Sequence, residues 1–263
     1  MRRALLGTVV AIGMVVCVGA AAVRGRASGP AVGEPTTGFL FRMVEVGGVG
    51  LKYAVYVPRD YTPERAWPAI VFLHGSGESG TDGQKMIAQG IGSNILWNAQ
   101  RWPCIVMFPQ KPVMEAQWEA YDAPVMAMLG ETRKAFNIDE HRIGLTGLSQ
   151  GGHGCWSIGS AHADVWCAVA PICGYADGHG GGMTPGQIAA KMKGVPMWIF
   201  HGADDDVVPP EESRRVAAAM KGAGGDARLT LYPGTNHGSW DKAYAEGELP
   251  GFLMKSRGRK SEK

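Results

Sequence analysis

The stretch "RIGLTGLSQGGHG", residues 142–154, decides how this sequence is interpreted. A short apolar run leads into a cluster of glycines around one serine, Ser149. The segment "GLSQG" has the pattern G-x-S-x-G, which is typical of a serine on a sharp turn between a strand and a helix. We expect a side chain at Gly147 or Gly151 to clash with the neighbouring strand and helix. The glycines therefore let Ser149 stand at the edge of a sheet.

Runs of apolar residues predict the strands of that sheet. Continuous runs, typical of strands buried on both faces, occur at residues 69–75, 104–110, 142–147, 165–173 and 195–202. The segments "FLFRMVEV" and "LKYAVYVP" instead alternate like paired strands around the turn "GGVG". Residues 228–234, "RLTLYPG", also alternate, as expected for a strand nearer the sheet edge.

Helical patterns separate these strands. They lie at residues 84–100, 121–136 and 150–162, and in "PPEESRRVAAAMKGAGG". Strands that alternate with helices predict an α/β fold with a mostly parallel central sheet and helices on both faces. The glycine-rich piece at residues 174–186 is interpreted as an excursion on the surface.

Length and composition indicate one globular domain, which we place at residues 38–256. The chain has 263 residues, of which 45% are hydrophobic and 19% charged, and its formal net charge is +2. The surplus basic residues lie at the two ends, including a basic tail at residues 257–263. This balance gives no reason to expect a nucleic-acid partner. Since no segment indicates a subunit interface, a monomer is the default expectation.

The N-terminal residues 1–23 combine a basic start with an uncharged apolar run. This pattern predicts an export signal cleaved near residues 20–22. The alternative is an uncleaved membrane anchor, because the run is about as long as the roughly 20 residues of a spanning helix. In both cases the domain is exported, to the periplasm or the extracellular space. Residues 24–37, rich in Gly, Pro and Ala, are expected to be a linker.

Four cysteines lie in the expected domain: Cys104, Cys155, Cys167 and Cys173. An exported chain can join such cysteines in one or two disulfides. Three of the four lie in apolar runs, which favours buried free thiols instead. Their spacing matches no metal site, and we expect neither a metal nor a cofactor.

A nucleophilic serine needs a base beside it and an acid that orients the base. The segment "FHGADDDVVPP", residues 200–210, follows an apolar strand and offers three aspartates, although a solvated turn would have the same composition. The segment "YPGTNHGSW" places His237 in a loop after the last strand. Of the seven histidines, His237 alone follows both Ser149 and the aspartates. The order serine, aspartate, histidine is the order that G-x-S-x-G hydrolases use.

The mechanism also needs hydrogen-bond donors for an oxyanion. Gln150 begins a predicted helix, and the N-terminus of a helix favours an anion. The segment "FLHGSGESG", residues 72–80, ends an early strand in a turn. The main-chain N–H groups of Ser76 or Gly77 would face that of Gln150 there. We expect His74, in the same segment, to be structural.

Six stretches resemble the α/β-hydrolase superfamily. Within it, they resemble the phospholipase/carboxylesterase group and its secreted predicted-peptidase and dienelactone-hydrolase-like esterases. The stretches are "YAVYVPRDY", "PAIVFLHGSGESG", "RIGLTGLSQGGHGCW", "APICG", "WIFHGADDDVVP" and "LYPGTNHGSWDKAY". The resemblance extends over roughly residues 40–254. The resemblance implies an α/β-hydrolase fold and a serine hydrolase that cleaves carboxylic esters.

The resemblance also implies which aspartate is the acid. In the family pattern H-G-x-x-D-x-V-V-P, the catalytic position falls on Asp205. The resemblance supports Ser76 and Gln150 as the oxyanion donors. One departure is Ser79, where many relatives carry an arginine after the glutamate.

The substrate is expected to be a small-molecule or carbohydrate-linked ester. Gly77, Trp118 and Trp240 are candidate pocket residues, although packing would explain either tryptophan equally well. Specificity is expected to lie in the loops at residues 76–103, 111–123 and 174–192. Two alternatives stay open: a peptidase of the prolyl-oligopeptidase type, which usually carries a large extra domain, and a non-catalytic binding protein.

Overall fold

The computed structural model describes residues 37–177 and 182–256. The predicted signal or anchor, residues 24–36 of the linker and the basic tail lie outside these ranges. The described chain forms an eight-stranded sheet in the order β1-β2-β4-β3-β5-β6-β7-β8. The strands are β1 Gly38–Val46, β2 Val49–Val57, β3 Trp67–Leu73, β4 Ile105–Pro109, β5 Ile138–Leu148, β6 Ala168–Ile172, β7 Met197–Gly202 and β8 Ala227–Tyr232. Strand β2 pairs antiparallel with both β1 and β4, and the remaining pairs are parallel.

Seven α-helices accompany the sheet in the described ranges. They are α1 Ile91–Asn98, α2 Asp122–Ala135, α3 Gln150–Ala161, α4 Pro185–Met192, α5 Glu211–Gly222, α6 Trp240–Ala245 and α7 Leu249–Leu253. Helices α2 to α5 bury their apolar residues in one core, and α1, α6 and α7 contribute to a second core. The predicted α/β architecture, with helices on both faces of a mostly parallel sheet, is confirmed.

The burial of the strands follows their sequence patterns. Every residue of β3, β4, β6 and β7 is buried, as the continuous apolar runs predict. The alternating strand β8 is mostly half-buried and lies at the edge of the sheet, as expected. The four cysteines of the domain are buried thiols that are not joined in disulfides, so the interpretation as buried thiols is confirmed.

Some elements differ from the prediction. Strand β5 begins at Ile138, four residues early, because the chain pairs with β3 there before a bulge shifts the register. The expected surface excursion at residues 174–186 runs into α4, which Thr184 and Gln187 begin with a reciprocal capping box. The short helices α6 and α7 were not predicted. No helix in the described parts of the chain is both long and apolar enough to span a membrane.

The topology collects the candidate site residues at one edge of the sheet. Strands β3, β5, β7 and β8 are parallel, so their carboxyl ends share that edge. Ser149 follows β5, Asp205 follows β7 and His237 follows β8. Open α/β sheets bind their ligands at this edge.

Candidate active site

Ser149 lies in the sharp turn that the glycine pattern predicts. Its φ is 53° and its ψ is −117°, a conformation that residues other than glycine rarely adopt. Helix α3 begins at the next residue, Gln150. The turn is fixed by the N–H of Ser149, which donates to the carbonyl of Ile172 at 2.9 Å. The serine side chain is held at the end of β5 and is partly exposed to solvent.

The glycines around Ser149 are required by the close approach of main chains. A Cβ atom on Gly151 would lie 1.9 Å from the carbonyl oxygen of Leu73. A Cβ on Gly147 would lie 2.5 Å from the carbonyl oxygen of Gly151, and one on Gly152 would lie 2.6 Å from that of Ile172. Each of these neighbours is main chain, which cannot move aside as a side chain can. The steric reason predicted for these glycines is therefore confirmed.

The structure brings Ser149, His237 and Asp205 together in a hydrogen-bonded row. The Oγ of Ser149 lies 2.9 Å from Nε2 of His237. The Nδ1 of His237 lies 2.8 Å from Oδ2 of Asp205. The three residues come from three separate loops, and 88 residues separate the serine from the histidine. The Asp205 side chain is fully buried, and that of His237 is 18% exposed.

The loop after β7 assigns different environments to its three aspartates. Asp205 turns inward, and its Oδ1 accepts the N–H groups of Val207 at 3.0 Å and Val208 at 2.9 Å. Asp204 and Asp206 are exposed. Since only the middle carboxylate faces the imidazole, the structure selects the same aspartate as the resemblance did.

The predicted oxyanion donors belong to the start of α3 and to a loop that contacts Leu148, the residue before Ser149. Ser76 begins a short 3₁₀ helix after Gly75, at the end of β3. This loop lies against β5, because a Cβ on Gly75 would come within 2.8 Å of the Leu148 side chain. Gln150 is the first residue of α3, and the first N–H groups of a helix have no partner within it. A Cβ on Gly77 would meet no atom of the described chain within 4 Å, so this position faces open space.

His74 is structural, as expected, and supports the loop that carries Ser76. Its ring is fully buried, and its Nδ1–H donates to the carbonyl of Gly75 at 2.6 Å. Its Nε2 accepts the main-chain N–H of Lys111 at 3.2 Å. Burial lowers the pKa of His74 to about 4, so the ring is neutral at physiological pH.

The two candidate pocket tryptophans, Trp118 and Trp240, differ in their exposure to solvent. Of the two interpretations left open for Trp118, pocket wall and packing, the structure supports packing, because its side chain is fully buried. Its indole N–H donates to the carbonyl of His74 at 3.1 Å, and its ring packs against Gly154 of α3. It therefore supports the Ser76 loop from behind. Trp240 is partly exposed and meets the His237 ring edge to face, with ring centres 5.6 Å apart, so it lies beside the site.

The sequence did not reveal Lys111 as a residue of the site. This side chain is fully buried, and its ammonium group donates to Ser79 Oγ at 2.8 Å and to the carbonyls of Val113 at 2.8 Å and Met114 at 3.0 Å. The carbonyl of Met114 also accepts from the side chain of Gln150 at 3.2 Å. Lys111 thus ties the Ser76 loop to the loop after β4. No spacing rule connects a lysine to a serine 32 residues earlier.

The sequence also did not reveal that His153 connects two of the expected specificity loops. His153, on α3, lies with Nε2 2.6 Å from the Glu119 carboxylate and with Nδ1 2.8 Å from the carbonyl of Tyr175. Its ring stacks on that of Tyr175 at 4.5 Å. Glu119, in the loop at 111–123, and Tyr175, near the start of the segment 174–192, are therefore both held against α3. His153 lies in the serine motif at residues 142–154, but its partners lie far away in sequence.

Cys173, Asp205 and His237 place their Sγ, carboxylate and imidazole atoms within 4.8 Å of one another, the only such metal-ligating group in the described ranges. Burial raises the pKa of the Cys173 thiol to about 12, so the thiol is protonated. The other two side chains are hydrogen-bonded to each other. A metal ion here would displace the hydrogen-bonded row.

Comparison with known proteins relates this chain to esterases. Residues 109–246, more than half of the chain, match the Dienelactone hydrolase family. A solved thermostable esterase is 32% identical, with a TM-score of 0.68 over 83% of this chain and 63% of that chain. A ferulic acid esterase from Anaeromyces mucronatus is 17% identical, with a TM-score of 0.64 over 90% of this chain and 96% of that chain.

A curated relative is the bifunctional acetylxylan esterase/xylanase of Neocallimastix patriciarum. It is 26% identical over 169 residues, which is 61% of this chain and 22% of the relative. This chain therefore spans less than two thirds of the length of that relative and of the thermostable esterase. The α/β-hydrolase fold expected from the resemblance is confirmed. With the family match over residues 109–246, the chain belongs to the dienelactone hydrolase family.

Proposed function

We propose that this protein is a serine hydrolase that cleaves carboxylic esters through an acyl-enzyme intermediate on Ser149. The observation that carries the proposal is the continuous row from Ser149 Oγ through His237 to Asp205, with contacts of 2.9 and 2.8 Å. A serine beside a base that is itself oriented by an acid is the arrangement that activates a hydroxyl for nucleophilic attack.

In the first half of the reaction, Ser149 Oγ attacks the carbonyl carbon of the ester and its proton passes to His237 Nε2. The carbonyl oxygen becomes an oxyanion, which the main-chain N–H groups of Gln150 and Ser76 stabilise. The tetrahedral intermediate then collapses, and His237 gives the proton to the departing alcohol. Asp205 holds the imidazole in the required tautomer and stabilises its charged form.

In the second half, water takes the place of the alcohol. His237 removes a proton from the water as it attacks the acyl carbon, and the released serine oxygen takes this proton back. The acid product leaves with Ser149 restored. These steps need proton transfers and an oxyanion site, which this chain supplies, and no cofactor.

The names of the relatives favour esters over other acyl compounds. They include an acetylxylan esterase and ferulic acid esterases, which supports a small-molecule or carbohydrate-linked ester as the substrate. The fold alone does not decide this. A dipeptidyl aminopeptidase IV from Bacteroides ovatus shares it at 15% identity and a TM-score of 0.65, and this chain covers 36% of that chain. The hydrogen-bonded row disfavours a non-catalytic binding protein, which would have no need of it.

We also propose that the protein is exported, on the strength of residues 1–23 alone. We keep a monomer as the default proposal, because no segment of the sequence indicates a subunit interface. The N-terminal sequence of the protein recovered from the producing cell tests the first part. A start after residues 20–22 indicates a cleaved signal, and an intact first segment in the membrane fraction indicates an anchor.

The experiment for the activity is a substrate panel with a matched pair of serine variants. The full chain is assayed on p-nitrophenyl esters of increasing acyl length, on methyl ferulate and acetylated xylan, and on peptide p-nitroanilides. We expect ester turnover that Ser149→Ala lowers by about 10³-fold or more. Ser93→Ala, which loses only a hydroxyl bonded to the carbonyl of Gly90, keeps it. Turnover of anilides but not esters would favour the peptidase, and an active Ser149→Ala would refute the mechanism.

A further inference from the structure

A second histidine lies behind the acid of the row. His201, in β7, is fully buried, and its Nε2 lies 3.1 Å from Asp205 Oδ2, the same oxygen that contacts His237. The same Nε2 lies 2.9 Å from the carbonyl oxygen of Val208. On the other side of the ring, Nδ1 lies 2.6 Å from Ser213 Oγ on α5.

These contacts determine which ring nitrogen carries the proton. The carbonyl of Val208 and the carboxylate of Asp205 can only accept hydrogen bonds, so Nε2 of His201 must be the donor. Nδ1 is then free of a proton and accepts the hydroxyl of Ser213. Burial lowers the pKa of His201, which favours this neutral form.

We propose that His201 is a positioning residue for the ester hydrolysis. Its Nε2–H holds the Asp205 carboxylate from behind and limits how much of the carboxylate charge acts on His237. The inference rests on the proposed function and adds a residue to it. The resulting row runs Ser213, His201, Asp205, His237, Ser149, with an imidazole on each side of the acid.

The balance of donors around Asp205 explains the expected effect. Oδ1 accepts two main-chain N–H groups, whereas Oδ2 faces the two imidazoles. Without His201, Oδ2 would keep His237 as its partner and present more negative charge to it. The imidazolium form of His237 would then be more stable, and the carboxylate would lose one of the groups that fix its plane.

Cys173 and Glu212 are ionisable groups next to this row. Asp205 and His237 are the ionisable groups that act electrostatically on His201. Directly after β6, the Cys173 thiol has its pKa raised to about 12 by burial. On α5, Glu212 is paired with Arg215 at 3.0 Å and also accepts the N–H of Ala176 at 2.9 Å. The acid limb of the pH–activity profile is the part in which kcat rises with pH. A change in this limb therefore reports on the Asp205–His237 pair.

The test compares His201→Phe, which keeps a ring without its nitrogens, with His201→Gln, whose amide N–H can take the place of Nε2–H. The full chain is assayed on p-nitrophenyl acetate between pH 4.5 and 8.5. For the Phe variant we expect kcat about 10-fold to 100-fold lower and KM within about twofold. Its acid limb moves up by about half a pH unit, because the His237 imidazolium is stabilised. The Gln variant restores most of kcat and the wild-type limb.

Two results would overturn the inference. One is a Phe variant with wild-type kcat and acid limb. The other is an equal loss in both variants with no movement of the limb, which indicates packing alone. If the Phe variant does not fold, Ser213→Ala tests the inference instead. It removes the hydroxyl that donates to Nδ1 of His201, which makes the opposite Nε2–H a weaker donor. The acid limb should then move upward by a smaller amount. An unmoved limb in that variant rejects the inference. Ser149→Ala in the same assay tests the proposed function separately.

Discussion

Asp205 and His237 are joined through one carboxylate oxygen, Oδ2, which lies 2.8 Å from Nδ1 of the imidazole. The other oxygen accepts the N–H groups of Val207 and Val208 within its own loop. The loop after β7 therefore fixes the Asp205 carboxylate independently of its contact with His237. Because the acid is rigid, the imidazole that it orients needs no rearrangement when the reaction begins.

Replacing the acid by its amide tests this relationship. Asp205→Asn keeps the shape, but it removes the charge and can present an N–H to His237, which then adopts the wrong tautomer. We expect kcat to fall by about 10⁴-fold, measured on p-nitrophenyl acetate. Asp206→Asn alters the adjacent, exposed carboxylate and should stay within about twofold of wild type. A fully active Asp205→Asn would remove Asp205 from the mechanism.

The close contact at Gly151 predicts a severe loss of stability. In Gly151→Ala the new methyl group would lie 1.9 Å from the carbonyl of Leu73, so strand β3 and helix α3 must separate. We expect the free energy of unfolding to fall by about 4 kcal/mol or more, measured by urea denaturation. Gly130→Ala in α2 meets no atom within 4 Å and should be neutral or stabilising by up to about 1 kcal/mol. Equal stability of the two variants would contradict the packing described at the turn.

The buried neutral histidine His74 predicts that acid weakens the fold. Its pKa is about 4 in the folded protein, against 6.5 for an ordinary histidine. Between those two pH values His74 is protonated in the unfolded chain but not in the folded chain. The free energy of unfolding therefore has its full value above about pH 6.5 and falls as the pH drops towards 4. The loss at His74 amounts to about 3 kcal/mol. His201 acts in the same direction.

Urea denaturation at pH 7.5 and pH 4.5 measures this loss. His74→Gln should show a smaller difference between the two pH values than the wild type, whatever its absolute stability. His141→Gln changes an exposed ring and should keep the wild-type difference. If His74→Gln also keeps it, protonation of His74 does not limit stability.

Replacing Lys111 should lower activity although this side chain does not touch the reacting atoms. Lys111→Met keeps the length of the side chain and leaves Ser79 Oγ and the carbonyls of Val113 and Met114 without their shared donor. We expect the free energy of unfolding to fall by about 2 to 4 kcal/mol. We also expect kcat to fall about 10-fold as the Ser76 loop loosens. The exposed Lys85→Met is the matched control. Unchanged kcat and stability in Lys111→Met would show that this tie is dispensable.

The parts of the site that the sequence could predict are those set by local chemistry. Gly147 and Gly151 flank the serine because only glycine fits there, so the turn is visible as a motif. The apolar runs that precede the loops of Asp205 and His237 show where each strand ends. The helix α4 also had a local signal, since Thr184 and Gln187 form a capping box, and the glycine-rich residues before it concealed that signal.

The parts that were missed depend on contacts between distant segments. His201 lies in the segment at residues 200–210, but its role depends on Ser213 in the first turn of α5 and on the direction in which Asp205 points. Trp118 was left open between the pocket and the core because aromatic residues occur in both, and only its packing against α3 decides between these roles. Which partner a buried polar group finds is a property of the assembled fold.

The most direct test of the central claim is to locate the nucleophilic atom. The full chain is treated with a fluorophosphonate probe, and the adduct is mapped by mass spectrometry of its peptides. The account predicts one adduct per folded molecule, on Ser149, which is absent in Ser149→Ala and much slower to form in His237→Ala. A folded protein that takes up no probe, or takes it up at another residue, would contradict the account.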